Sequence, residues 1–247
     1  MRNTLDAILA KKKMISERID ALSWTAAQES LPRMGYARLG SILKQEECER
    51  SKSLYAKPEL FRKRIEMERF RFGKGQYQYF QYPLPGLVAE LRVALFRHLV
   101  KLANDWMAAL CLPETYPDSL GGFLERCHSV GQTRPTPLLL RYRAGDFNWL
   151  HQDIYGELAF PFQVVCCLSR PDDEFTGGEF LLVEQRPRAQ SIGHALRLEQ
   201  GEAIVIATRY KPVKGLNGYY RGNVRHGVSP ILSGERFSLG IIFHDAS

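Results

Sequence analysis

From Leu138 onward the chain is a succession of short apolar, β-branched and aromatic runs broken by turn residues. Leu138-Leu139-Leu140-Arg141-Tyr142 reads as a strand and Ala144-Gly145-Asp146 as a turn. Phe160-Pro161-Phe162-Gln163-Val164-Val165-Cys166-Cys167-Leu168 is a second β-rich run. Gly177-Gly178-Glu179-Phe180 is a turn leading into a strand, and Ala203-Ile204-Val205-Ile206-Ala207 is another strand. Short runs of these residue types, bounded by glycine, meet the criteria for strands. Residues 121–247 are therefore expected to be mostly β.

Chemistry-bearing residues sit at defined places in that pattern. Trp149-Leu150 leads into His151-Gln152-Asp153, and His226 follows far downstream. Positions i and i+2 of a strand share a face, so His151 and Asp153 can present ligands to one metal, with His226 arriving from another strand of the same sheet system. Two histidines and one carboxylate are the ligand set that holds non-haem Fe(II) and leaves coordination positions open. Beyond His226, a turn around Ser233-Gly234-Glu235 is expected to lead into a return strand carrying Arg236 and Ser238, again i and i+2. A guanidinium offers a carboxylate two parallel donors, and the serine hydroxyl adds a third.

Leu139-x-x-Tyr142, His151-x-Asp153, Gly177-Gly178-Glu179, His226-Gly227-Val228 and Gly234-Glu235-Arg236-x-Ser238 together resemble the Fe(II)/2-oxoglutarate-dependent oxygenases, in the branch that includes the prolyl hydroxylases. That resemblance covers roughly residues 138–245. Nearly the whole chain is similar to a bacterial oxygenase family whose genes tend to sit beside alkylation-damage repair genes. The closer match is carried by Gly75-Gln76-Tyr77-Gln78-Tyr79-Phe80-Gln81-Tyr82-Pro83-Leu84-Pro85, Gly131-Gln132-Thr133-Arg134-Pro135-Thr136-Pro137 and Glu184-Gln185-Arg186-Pro187-Arg188. The resemblance implies an α+β, mainly β fold with a double-stranded β-helix core. It implies Fe(II) on His151, Asp153 and His226, and 2-oxoglutarate on Arg236 and Ser238 with help from Tyr142. O2 is then the oxidant, with ascorbate as an accompanying reductant.

Length and composition agree with such an enzyme. A chain of 247 residues, 45% hydrophobic and 25% charged, is ordinary for a globular protein and long enough for one large core. One domain is expected over 1–247, with 1–120 as helical support and a substrate-facing hairpin and 121–247 as the β core. No apolar run is long enough to span a bilayer, and the N-terminus lacks a secretory signal. Cys48, Cys111, Cys127, Cys166 and Cys167 form no Cys-x-x-Cys pair, which argues against a disulfide framework or a thiolate zinc site. Together these features point to the cytoplasm.

The first half reads as mixed. Leu5, Ile8, Leu9, Ile15, Ile19 and Leu22 recur at helical spacing; 34–39 reads as a short strand and 41–55 as a helix. Leu87 to about Leu110 reads as a long amphipathic helix broken once. Between them, Arg69, Arg71 and Lys74 interleave with Tyr77 and Tyr79. Bases stack on rings and phosphates pair with cations, so this interleaving suits a single nucleic-acid strand, as it also suits a half-buried hairpin. Arg134 and Arg221 complete the candidate substrate contacts, and the net charge of +7 favours polyanions. The expected activity is hydroxylation or oxidative demethylation, with alkylated nucleic acid as substrate. A protein or amino-acid hydroxylase, a non-catalytic binder and a zinc hydrolase are the alternatives.

Overall fold

The structure is a computed structural model and describes residues 14–247; Leu5, Ile8, Leu9 and the lysine run 11–13 lie outside the described residues. Its helices are α1 (Ile15–Asp20), α2 (Trp24–Met34), α3 (Gln45–Ser53), α4 (Gly86–Ala109) and α5 (Leu120–Ser129). The strands of the first half are β1 (Tyr36–Ser41), β2 (Phe61–Glu66), β3 (Gly73–Lys74) and β4 (Gln76–Phe80). Those of the second half are β5 (Leu138–Arg143), β6 (Phe147–His151), β7 (Phe162–Cys167), β8 (Phe175–Gly177), β9 (Phe180–Gln185), β10 (Ile192–Leu196), β11 (Glu202–Ala207), β12 (Tyr210–Gly215), β13 (Gly218–Val228) and β14 (Ile231–Ile242).

They form two antiparallel sheets. The larger runs β1-β11-β7-β14-β5-β4-β2, with β8 also on β14; the smaller runs β10-β9-β13-β6-β3, with β12 also on β13. One cavity is lined by both, which is the double-stranded β-helix arrangement. Its large-sheet wall follows from strand alternation. Arg236, Ser238, Gly240 and Ile242 of β14 all face it, as do Leu138, Leu140 and Tyr142 of β5. The register places Arg236 opposite Tyr142 and Ser238 opposite Leu140, so neighbouring strands present one face together.

The other face of the large sheet is covered by α4. Leu91, Leu95, Phe96, Leu99, Ala103 and Trp106 are all buried, and the Trp106 ring meets Phe162 edge-on at 4.6 Å. Burying an arginine among them is tolerable only with full pairing. Arg92 has it: it donates to the carbonyls of Ile242 and Phe243 at 2.9 Å and forms an ion pair with Asp245 at 2.8 Å. On the far side, Lys211 of β12 pairs with Glu184 of β9 at 2.8 Å and donates to the Arg33 carbonyl, which pins the end of α2 to the small sheet.

Three expectations change. The long helix is continuous from Gly86 to Ala109, because its interior holds neither proline nor glycine. The turn between His226 and Arg236 falls at Ser229-Pro230, not around Ser233-Gly234-Glu235. Gly234 lies within β14, at φ 77°, where a Cβ would meet the Glu174 carbonyl oxygen at 1.9 Å; the strand there passes from β8 to β5 and β7. Finally, the first half, expected as helical support and a substrate-facing hairpin, also supplies strands to the large sheet. β1 pairs with β11, and β4 completes the ladder of β5. No helix of the described residues is long and apolar enough to cross a membrane. All five cysteines are free, and burial pushes the Cys48 thiol up to about 12.

Candidate metal and cosubstrate site

His151 is the last residue of β6, and β13 lies antiparallel to that strand with His226 opposite His151. The close approach needs Gly227, where a Cβ would meet the Asn148 carbonyl oxygen at 2.6 Å. Asp153 follows in the irregular segment after β6 and turns back between the two rings. Its Oδ1 is 3.5 Å from His151 Nε2, and its Oδ2 is 3.2 Å from His226 Nε2. One ligand atom from each residue lies within 4.8 Å of the others.

The surroundings orient these groups. His151 Nδ1 donates to the Trp149 carbonyl at 2.7 Å, which leaves the Nε2 lone pair for the centre. The His226 ring stacks on Phe180 at 5.7 Å with planes 11° apart. The Tyr155 hydroxyl donates to Asp153 Oδ1 at 2.5 Å. Burial alone would raise the Asp153 carboxyl, but the His151 charge, with hydrogen bonds from both histidines, outweighs it and holds the group well below the usual range. Burial lowers the His151 imidazole and Asp153 raises it, for a net upward shift; burial and the neighbouring His151 bring His226 down. Two nitrogens and a carboxylate converging from one side fit Fe(II), with the remaining positions facing the cavity.

That cavity has a volume of about 160 Å³ and is also lined by Arg236, Ser238, Tyr142, Asn148 and Gln163. Arg236 is 2% exposed and makes no ion pair with any described residue. Its Nη1 donates to Ser238 Oγ at 3.2 Å, and its guanidinium lies 5.8 Å from the centres of both the Tyr142 and Phe175 rings. A buried, uncompensated guanidinium is costly, so the site is short of one anion. The Tyr142 hydroxyl accepts from Asn148 Nδ2 at 3.3 Å, and burial pushes its phenol above the usual value.

The remaining candidates divide. Tyr77 is half-buried and lines the cavity. Tyr79 is 6% exposed and packed beneath the Arg62 guanidinium, so its ring offers no open face. Arg69, Arg71 and Lys74 are exposed beside Phe72, another cavity-lining residue. Arg134 lies apart, in a backbone bridge with Ala246, and Arg221 is exposed on the β12–β13 hairpin over the Tyr210 ring. Arg225, next to His226, points to the solvent face.

Two further residues contribute in ways that their local sequence does not state. Gln163 places its amide Nε2 3.1 Å from His226 Nε2, while its Oε1 is buried without a partner; the signal was a polar residue inside an apolar run. Gln132 is buried and holds the segment behind Asp153. Its Nε2 donates to the carbonyls of Leu158 at 2.9 Å and Asp245 at 2.6 Å, and its Oε1 accepts from Leu158 N–H at 2.8 Å. Nothing in local sequence announces that role.

Residues 75–246 match a family described as an oxygenase catalysing oxidative methylation of damaged DNA. An uncharacterised protein of Mycobacterium tuberculosis, found in strains CDC 1551 / Oshkosh and ATCC 25618 / H37Rv, is 52% identical over 168 residues, 68% of this chain and 72% of that protein. Among solved structures, the chain is similar to a Pseudomonas putida prolyl-4-hydroxylase, with TM-score 0.55 and 16% identity over 91% of this chain and 99% of that one. It is also similar to a 2OG-Fe(II) oxygenase-family oxidoreductase from Burkholderia pseudomallei, with TM-score 0.51 and 16% identity over 91% and 93%. These likenesses bear on the fold, the double-stranded β-helix.

Proposed function

Because the chain belongs to this family of oxygenases acting on damaged DNA, we propose that the cavity between its sheets oxidises an alkyl carbon on a damaged base, using Fe(II) and 2-oxoglutarate. His151, Asp153 and His226 would hold the metal. Arg236 and Ser238 would take the distal carboxylate of 2-oxoglutarate, with Tyr142 packed against the guanidinium. The observation that carries the reading is Arg236: a buried cation with no ion-pair partner among the described residues, in the same cavity as a His-Asp-His cluster. A dicarboxylate that reaches from the metal to the guanidinium removes that deficit.

When bound, Fe(II) with 2-oxoglutarate and O2 supplies oxidative decarboxylation to succinate and carbon dioxide, with the second oxygen atom inserted into a substrate C–H bond. This chain's own residues bind and orient. Trp149 fixes the His151 tautomer through its carbonyl, His151 and His226 keep Asp153 ionised while the Tyr155 hydroxyl donates to it, and the apolar residues Leu138, Leu140, Val165 and Phe180 line the walls. On an N-methyl group, hydroxylation leaves an N–CH2OH group, which breaks at its C–N bond to give formaldehyde and the N–H base. On a carbon-bound group the alcohol persists.

The test is succinate release with a panel of methylated oligonucleotides and peptides, with products read by mass spectrometry. Expected is turnover that requires both Fe(II) and 2-oxoglutarate and is coupled to loss of a methyl group from an oligonucleotide. Coupling to peptides alone would replace this reading with a protein hydroxylase.

A further inference from the structure

We propose that Phe70, Phe72 and Trp149 form a platform on which bases flanking the target nucleotide stack, while Arg69, Arg71 and Lys74 hold the adjoining phosphates. The inference rests on the reading of the cavity as the site of a damaged DNA base. Its starting point is exposure: these three rings are 50%, 46% and 59% exposed, although rings of this size ordinarily bury most of their surface. They are also grouped. Phe70 and Phe72 stack at 5.6 Å with planes 20° apart, Phe147 braces Trp149 edge-on at 5.0 Å, and the backbone N–H of Trp149 donates to the Phe72 carbonyl at 2.9 Å.

The backbone beneath them is built for close approach. Gly73 of β3 pairs with Asn148 of β6 at φ 129°, and a Cβ there would meet the Phe147 carbonyl oxygen at 2.4 Å. The Phe70–Phe72 pair, in the turn just before β3, is therefore held beside the Phe147–Trp149 pair of β6. Phe72 also lines the metal cavity, so whatever lies on the patch continues into the site.

Charge selects the occupant. Arg69, Arg71 and Lys74 are exposed and form no ion pair with any described residue; Glu68 is the one acid between Met67 and Lys74. Free cations interleaved with open rings match a nucleic-acid strand, whose phosphates and bases alternate at the same scale. A base in a duplex cannot reach a cavity of about 160 Å³ without leaving its stack. Rings that stack on its neighbours offset that loss.

The experiment uses protein loaded anaerobically with Fe(II) and 2-oxoglutarate, and a short single-stranded oligonucleotide carrying one N-methylated base beside 2-aminopurine. Binding is followed by anisotropy, stacking by 2-aminopurine quenching, and folding by melting temperature. Wild-type protein is expected to bind and quench. Phe70→Ala and Trp149→Ala should each lose roughly 5- to 100-fold in affinity and lose quenching without a change in melting temperature, while Trp149→Phe keeps most of both. If both alanine variants bind and quench as wild type does, the platform is wrong and the proposed function stands. If wild-type protein binds no oligonucleotide, the function falls and the platform with it. Should the variants lose only sedimentation with anionic phospholipid vesicles, the patch is a membrane contact and the proposal is overturned.

Discussion

His226 stands directly opposite His151 in the pairing of β13 with β6, and their ring centres are 4.3 Å apart. A backbone register therefore sets the separation of the two imidazoles, and Asp153 needs only to fold back between them. Replacing either His151 or Asp153 with alanine should abolish 2-oxoglutarate turnover while the protein stays folded. Asp153→Glu should also fail, since a displacement of about one ångström can cost on the order of 100-fold in rate. Succinate release and retained iron after dialysis check this; full activity in the alanine variants would sink the ligand assignment.

Arg236→Ala should weaken apparent 2-oxoglutarate affinity by roughly 30-fold or more, from a loss of about 2–5 kcal/mol for truncating one member of a buried charge pair. Arg236→Lys should recover only part, because an ammonium cannot reproduce the fork. Arg236→Met makes the sharper test. It should raise the melting temperature of cosubstrate-free protein by relieving an unpaired buried charge, and should abolish the stabilisation that added 2-oxoglutarate gives wild type. An undiminished 2-oxoglutarate response in that variant would move the carboxylate site elsewhere.

Gln132→Ala removes three hydrogen bonds that hold Leu158 to the C-terminal segment. Each buried backbone group left without a partner costs about 1–3 kcal/mol. Global melting should fall, and Fe(II) affinity should fall with it, because the segment from Asp153 to Phe160 loses its anchor. Iron titration of the folded variant at low temperature separates the two effects; unaltered affinity there would confine Gln132 to general stability.

If phosphate contacts drive binding, log K for single-stranded DNA should decline by about 0.7 per neutralised phosphate against log salt. Replacing Arg69, Arg71 and Lys74 together by glutamine should flatten the slope by about 2 units. The measurement is a salt titration of binding from about 50 to 200 mM. A slope equal to that of wild type would place the phosphate contacts on another face.

Lys211→Met should cost about 3 kcal/mol, the low end for a broken buried pair, because Arg186 still reaches Glu184 at 2.5 Å. Burial works against the Glu184 carboxylate, but Arg186 and Lys211 outweigh it and hold the carboxyl below its ordinary value of 4.5. A depressed folded value means the stabilisation is present above pH 4.5 and is lost as pH falls below it. Wild-type stability should thus drop in that acid range, and Lys211→Met should show a shallower drop. Denaturant melts across the range decide it; parallel curves would rule the pair out as the cause.

What could be read from the chain alone were features of short range. Strand alternation announced that Arg236 and Ser238 would share a face, because side-chain period in a strand is local geometry; it does not account for Asp153, which meets His151 through the irregular segment after β6 and not as its i+2 strand neighbour. The apolar runs at 138–142, 160–168 and 203–207 announced β5, β7 and β11, since their residue types and lengths suit strands however they pair. The tertiary structure decided everything that depends on which strand meets which. It put His226 across from His151, buried Arg236 with no ion-pair partner among the described residues, and buried Tyr79 while exposing Phe70, Phe72 and Trp149. Tyr79 and Phe72 are both aromatic residues in one interleaved stretch; Arg62 and Tyr155 pack over Tyr79, whereas Phe72, among the described residues, stacks only on Phe70, itself exposed, and that separates a core ring from an open one. Burial is a property of partners distant in sequence, and local pattern carries no record of them.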